Sequence, residues 1–306
     1  MSVTSGALDA RRPVVLRWPK FLRGPRRLHG SDLAWSIGFI VPYAILFAAF
    51  VIYPMGYALW MGSDPALYAA LLTDPRYLRA AINTVLFVGL AVNVQMALAL
   101  LLSGFFARRR WWIRALLVIY ILPWTLPVVP AYLSFHWMLV AYPRGLIDNL
   151  ITALFGVEGP FWFNHGWLAL LCDIVANIWK WMPLWTLILL GGRMAIPQEL
   201  YDAADIDGAS PCQRFAYVTV PLLASLYVIS TLIAAIWAFG DYSPVLFVSA
   251  GTPAFESEVV STLGFHYALD FANPPLGVAA GLSVLPLLIP LVILLMQRLK
   301  ALEVQL

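Results

Sequence analysis

Residues 199–221, ELYDAADIDGASPCQRFAYVTVP, form a polar, acidic island between two long apolar runs, with Glu199, Asp202, Asp205 and Asp207 close together. Pro197 suits a first helical position, and Glu199 and Asp202 follow in the first turns, where the helix dipole favours acids. Leu200, Ala203 and Ala204 fall at i, i+3, i+4 and give that helix one face of mostly small residues. Gly208 ends it, because glycine enters the left-handed cap at least cost. Ser210 starts a second helix, with Pro211 as its first residue and Gln213 closing a capping box. Pro221 marks the start of the next apolar run. The expectation is a helix, a glycine turn and a second helix, all outside a bilayer.

The chain around this island has the composition of a membrane protein. Its 306 residues are 62% hydrophobic and 11% charged, with a mean hydropathy of +0.82; a soluble domain of this size carries about a quarter charged residues. A span needs roughly 20 apolar residues. Six runs qualify, at about 33–61, 81–107, 115–140, 167–190, 221–240 and 276–297. The basic start (Arg11, Arg12, Arg17, Lys20, Arg23, Arg26, Arg27) precedes an uncharged run too long for a signal-peptide core, so the first span is expected to be uncleaved. With the N-terminus in the cytoplasm, the inner segments hold 15 of the 19 Lys and Arg, while the outer segments hold Arg76, Arg79 and Arg144. The positive-inside rule therefore predicts both termini, and the 199–221 loop, on the cytoplasmic side. The organisation expected is a basic cytoplasmic segment 1–32, a six-span domain 33–297 containing the loop 191–221, and a short tail 298–306. The basic residues flank spans and call for lipid headgroups, with no case for nucleic acid.

Several chemistries are missing from the sequence. There is no GxxxxGK[ST], HExxH, GxSxG or CxxC. No metal site is expected, and Cys172 and Cys212 fall in different environments, so no disulfide is expected either. The four histidines are scattered; His136, inside a span, reads as a hydrogen-bonded packing residue. Nothing argues for an enzyme, and without a phosphate loop a chain that moved solute with ATP would have to borrow its ATPase from another subunit.

Polar groups inside spans are functional candidates because hydrocarbon penalises them. Asp173, Asn177 and Lys180 stand at i, i+4 and i+7 with Trp181 and Trp185 beside them, and Lys180 falls roughly 20 Å in from the end of its helix. Two readings stay open. One is a solute-binding wall of amide, ammonium and carboxylate groups with an indole face for stacking. The other is an internal brace, with Lys180 capping helix-end carbonyls or tied to Asp173. Pro123, Pro127 and Pro130 bend the third span. Trp237, Asp241 and Tyr242 close the fifth, where Asp241 either bonds a hydroxyl or caps the helix. Asn83 and Gln95 read as partners in hydrogen bonds between helices. Of the outer segments, 63–79 is expected to contain one helical turn or more, and 146–155 looks helical. In 241–275, VVSTLGFHYALDF looks helical and SAGTPAFES looks like a loop, and part of the segment is free to dip into the membrane.

Asp202-Ala203-Ala204, three residues, Gly208, nine residues and Val218-Thr219-Val220-Pro221 resemble the EAA loop of binding-protein-dependent ABC importer permeases, with Asp for Glu and Val for Ile and Leu. The resemblance extends from about residue 52 to the end through YPMGYALW, YLRAAINT, ILPWTLPVVPAYLSFHWML, IWKWMPLWTLILLGG and DYSPVLFVSAG, and is closest to the first permease of sugar-type pairs, the maltose and glycerol-phosphate group. It implies an all-α membrane protein with six transmembrane helices and the type I ABC importer permease fold. Glu199, Asp202, Ala203, Ala204, Asp207, Gly208, Ala209, Phe215 and Pro221 would dock on an ATPase. Asp173, Asn177, Lys180, Trp181, Trp237, Asp241 and Tyr242 are the solute-pathway candidates. The partners implied are a second permease, two ABC ATPase subunits carrying Mg-ATP, and an extracytoplasmic solute-binding protein in a bacterial inner membrane. The solute class implied is a sugar or polyol. The chain departs from the family in a short segment after the first span and in lacking the large insertion of some maltose permeases. The rival is an ion-gradient-driven secondary transporter, which would show paired half-repeats with charges in matching broken helices; the sequence has no such repeat. A lipid-modifying membrane enzyme would need a convergent His, Asp or Ser constellation, which is also missing.

Overall fold

The computed structural model describes residues 30–108, 110–140 and 145–303. The basic stretch 11–27, Arg109, Arg144 and the last three residues lie outside them. The described residues form helices and connecting turns, with no strand among them. They fall into two units, 1–56 and 57–306. In the first, α1 (Gly30–Phe47) runs into a π-turn, Ala48–Ile52; α2 (Tyr53–Met61) carries the same apolar run onward across the boundary after Gly56.

The second unit is built on α4 (Pro75–Phe106) and α8 (Gly166–Met194), which pack along each other more extensively than any other pair. Small residues let them approach: Ala80, Ala91, Ala99, Ala169 and Ala176 are fully buried or nearly so, as expected where lipid supplies no hydrophobic drive between helices. α11 (Val220–Gly240) lies against α4, α8 and α14 (Leu285–Glu303). Gly192 on α8 leaves room for α11, since a Cβ there would sit 2.3 Å from Leu226 Cδ2. The short α3 (Pro65–Thr73) starts on an Asp64 cap, and α4 starts on an Asp74 cap. The second span thus begins six residues earlier than the hydropathy pattern suggests, because Asp74-Pro75 is a strong helix start.

Among the described residues five helices are long and apolar enough to cross a membrane, or six if a sharply bent pair counts as one span. The run expected as one third span is α5 (Trp111–Thr125) and α6 (Val128–Leu139), which meet at 97°. Pro127 and Pro130 remove two backbone donors in a row and force the break. The last span is also interrupted, between α13 (Pro274–Leu282) and α14. α7 (Leu146–Phe155) ends on left-handed Gly156, as its sequence suggests.

The segment 241–275 contains the helix expected from VVSTLGFHYALDF. A π-turn, Val245–Ser249, leads into α12 (Val260–Leu269), which packs on α13 and α4. The α12–α13 crossing is backbone-close, for a Cβ on Gly277 would lie 2.5 Å from Gly264 O. Arg76 joins this segment to the start of α4. Its guanidinium pairs with Asp74 at 2.8 Å and lies 5.2–5.9 Å from the ring centroids of Phe255, Tyr267 and Phe271. Tyr267 donates to Asp74 Oδ2 at 2.6 Å, and the hydrogen bond from Arg76 lowers the Asp74 carboxyl to about 2. Buried Glu258 lies 3.1 Å from His266 Nε2, close enough to pair but out of line for a hydrogen bond.

Candidate functional site

Two regions carry the sequence-predicted residues, at different heights in the bundle. The first is the acidic stretch. α9 (Gln198–Ile206) starts after Pro197, which serves as its cap and not as its first residue. The helix closes in a Schellman turn. Ala209 N–H donates to Ala204 O at 2.9 Å and Gly208 N–H to Asp205 O at 3.1 Å, with Gly208 at φ +74°. A side chain there would meet open space, so the demand for glycine is one of backbone conformation. Ser210 and Gln213 form the reciprocal capping box at the start of α10 (Pro211–Arg214). Arg214 reaches back across the glycine turn to Asp205, and Tyr201 bonds Thr219 at 3.0 Å. The hairpin is therefore held by its own contacts.

The second helix runs on past Pro221 into the next apolar run. α10 passes through a π-turn, Phe215–Thr219, straight into α11, and residues 211–240 make one continuous helix. Pro221 is tolerated because it lies in the first turn after the π-turn, where one missing N–H costs little. Glu199, Asp202, Ala203, Asp207 and Gly208 are exposed, Ala204 and Ala209 half-exposed, and no residue of α9 is buried. Leu200 and Ile206 leave apolar surface open on the hairpin, with Ile206 87% exposed. Phe215 turns inward under the Arg193 guanidinium, 5.6 Å away.

The second region is the polar face of α8, and the structure divides it three ways. Asp173 is fully buried and accepts from Ser249 Oγ at 2.8 Å, with Ser257 Oγ 3.1 Å beyond. Together with His136 Nδ1, 2.7 Å from Val248 O, it pins the 245–249 π-turn. Lys180, 1% exposed, donates to the carbonyls of Pro123 (2.9 Å), Trp124 (3.1 Å) and Leu126. In an unbroken helix the amides of residues 127 and 130 would serve the carbonyls of residues 123 and 126. Both of those residues are prolines, so the ammonium supplies the donors that the prolines lack. Of the two readings of Lys180, the geometry is that of the carbonyl cap.

Asn177, Trp181, Trp237 and Asp241 do come together, around a narrow pocket of about 10 Å³ completed by Gln95 and Trp185. Trp181 and Trp185 stand 5.5 Å and 5.6 Å from Trp237 between ring centroids. Asp241 caps its own turn through the amide of Ser243 at 2.9 Å, and burial raises its carboxyl pKa. Tyr242 instead stacks on Phe265, 5.3 Å away. Gln95 was legible only as an interhelical partner, and its Oε1 has no hydrogen-bond partner here. Asn83, by contrast, bonds the carbonyls of Glu256 and Glu258, each at 2.8 Å.

The fold is thus a bundle of apolar helices with one broken pair packed on α8 and a self-supporting, exposed hairpin between two of the long helices. The chain belongs to the family described as the binding-protein-dependent transport system inner membrane component, which it matches over residues 95–300. It is 29% identical over 279 residues to the sulfoquinovosyl glycerol transport system permease protein SmoG of Agrobacterium fabrum, covering 86% of this chain and 88% of that one. It is 30% identical to the trehalose/maltose transport system permease protein MalF of Thermococcus litoralis, covering 65% and 67%. A crystal structure of a bacterial alginate ABC transporter, in complex with an alginate pentasaccharide-bound periplasmic protein, contains a chain of the same fold. Its TM-score is 0.77 at 20% identity, over 89% of this chain and 96% of that one.

Proposed function

We propose that this chain is one of two permeases that together line a path for a sugar or polyol-like solute, handed over by an extracytoplasmic binding protein. Two separate ATPase subunits carrying Mg-ATP drive the movement, docking on the 199–221 hairpin. The observation that carries this reading is the hairpin: an exposed small-residue face, internally capped and braced, that continues as a rigid helix into α11. A pull on the hairpin is transmitted along the continuous helix 211–240 to Trp237 near its end. Both termini and the hairpin lie on the cytoplasmic side, by the distribution of Lys and Arg.

Asn177, Trp181, Trp237, Asp241 and Gln95 form this subunit's share of the solute wall. The second permease supplies the rest, since the pocket in one chain is small. Asp173 and Lys180 shape the wall from behind. Hydroxyl-rich solutes fit indole faces and amides, and the names of the relatives support this class.

The test is uptake by the transporter reconstituted with its partner subunits. Uptake that needs internal ATP, survives a protonophore and falls roughly fivefold in apparent affinity in Trp181→Ala supports the proposal, at about 1 kcal/mol per lost contact. Uptake that a protonophore abolishes and that ignores ATP would establish the ion-driven rival.

A further inference from the structure

A pocket of about 520 Å³ opens between the end of α4, the start of α5, the end of α8 and the α9–α10 hairpin. Four arginines reach it from four segments: Arg108, Arg114, Arg193 and Arg214. Positive charges along a membrane face need no ligand; four arginines lining one recess, with the Arg108 guanidinium also over the Phe105 ring at 5.9 Å, place like charges together. Arg214 is neutralised by Asp205. Arg193 bonds only neutral oxygens, Ser103 Oγ at 3.2 Å and Leu100 O at 3.3 Å. Among the described residues neither Arg108 nor Arg114 pairs with a carboxylate. The recess thus holds three uncompensated cations, while its other wall is apolar, with Phe106, Leu117 and Leu190. Trp111, 82% exposed, and Trp112 begin α5 beside it, as aromatic residues do at the headgroup level.

We propose that this recess binds the phosphodiester headgroup of an anionic phospholipid. Guanidinium forks match phosphate oxygens in a bidentate way, and basic pockets between transmembrane helices are where anionic headgroups lodge. The apolar wall takes the first part of the acyl chain, which a free phosphate would leave unused. Gln198 and Tyr201 of α9 also line the recess, so the lipid tethers the hairpin to the ends of α4, α5 and α8. The inference stands whichever face of the membrane holds the hairpin, and its failure leaves the transport reading untouched.

Native mass spectrometry of the purified chain tests it, with phosphatidylglycerol, phosphatidylcholine or inorganic phosphate added. Expected is retained phosphatidylglycerol with little phosphatidylcholine, and a loss of roughly fivefold in affinity for each of Arg108→Gln and Arg114→Gln, from the worth of one basic residue near an anionic headgroup. Both side chains sit at the surface, and Arg114→Lys, which keeps the charge, is expected to bind between wild type and Arg114→Gln. Equal retention of the two lipids, or undiminished phosphatidylglycerol binding in the double glutamine variant, overturns the proposal. Displacement of the lipid by millimolar inorganic phosphate overturns the lipid as the source of the phosphate.

Discussion

At the scale of single residues, the most consequential side chain is Lys180. A buried lysine is costly in a membrane bundle, yet here it answers a need created 50 and 53 positions earlier by Pro130 and Pro127. Lys180→Met removes the donor and leaves the carbonyls of Pro123 and Leu126 unserved, at about 1–3 kcal/mol for each orphaned group. The expected outcome is a lower melting temperature and reduced yield of folded protein in detergent, with Lys180→Arg milder; an unchanged melting temperature in Lys180→Met contradicts the cap. Glu258 gives a pH signature. Burial raises its carboxyl to about 8 from an ordinary 4.5, despite the pull of Arg76 and with Asp270 and Asp74 pushing the same way as burial; His266 faces it at 3.1 Å. The folded state therefore holds this proton where the unfolded chain has lost it, and stability falls as pH rises from about 5 to 8. Asp74, lowered to about 2, acts with the opposite sign and only below its ordinary 3.8, so it is silent in that window. Melting temperatures measured from pH 5 to 8 should decline in the wild type and decline less in Glu258→Gln.

At the scale of elements, helices with strong caps were legible in the sequence, and breaks inside apolar runs were less so. Ser210, Pro211 and Gln213 specify α10 from local chemistry alone, and Gly208 specifies the turn before it. The same local logic placed the start of the apolar run at Pro221 but did not show that a π-turn joins α10 to that run, because a π-turn leaves no capping residues to read. The three prolines announced a bend but not a 97° break. The i, i+4, i+7 spacing put Asp173, Asn177 and Lys180 on one face, yet three neighbouring elements divide that face, and only packing determines which neighbour each side chain meets. The tight α12–α13 crossing has a faint sequence signal in Gly264 and Gly277. Gly277→Val has to push its Cβ away from backbone 2.5 Å distant, an overpacking cost of about 1–3 kcal/mol. Limited proteolysis between residues 250 and 275 should speed up in this variant and stay unchanged in Gly281→Val, whose Cβ meets open space.

For the whole molecule, charge asymmetry and the hairpin make one argument: in the proposed function, the face rich in arginine is also the face on which the ATPase would dock. Native Cys212 is exposed on the hairpin while Cys172 is buried, so a single natural thiol reports the sidedness. In sealed cells an impermeant thiol reagent should spare Cys212 until the membrane is permeabilised, whereas Val157→Cys in a Cys212→Ser background, at an exposed position after α7, should react from outside. The reverse pattern overturns the orientation. The central claim is that the hairpin couples this subunit to an ATPase, and co-purification of the ATPase with hairpin variants, read beside solute uptake, tests it most directly. Gly208→Val strains a φ of +74°, at roughly 1 kcal/mol or more for a side-chain-bearing residue, and Ala204→Asp wedges a charge into the small-residue face. The account predicts that both variants insert in the membrane and lose ATPase binding or uncouple hydrolysis from uptake, while Gln213→Ala, which loses only half of a capping box, stays close to wild type. Full ATPase binding together with full uptake in Gly208→Val and Ala204→Asp would contradict it.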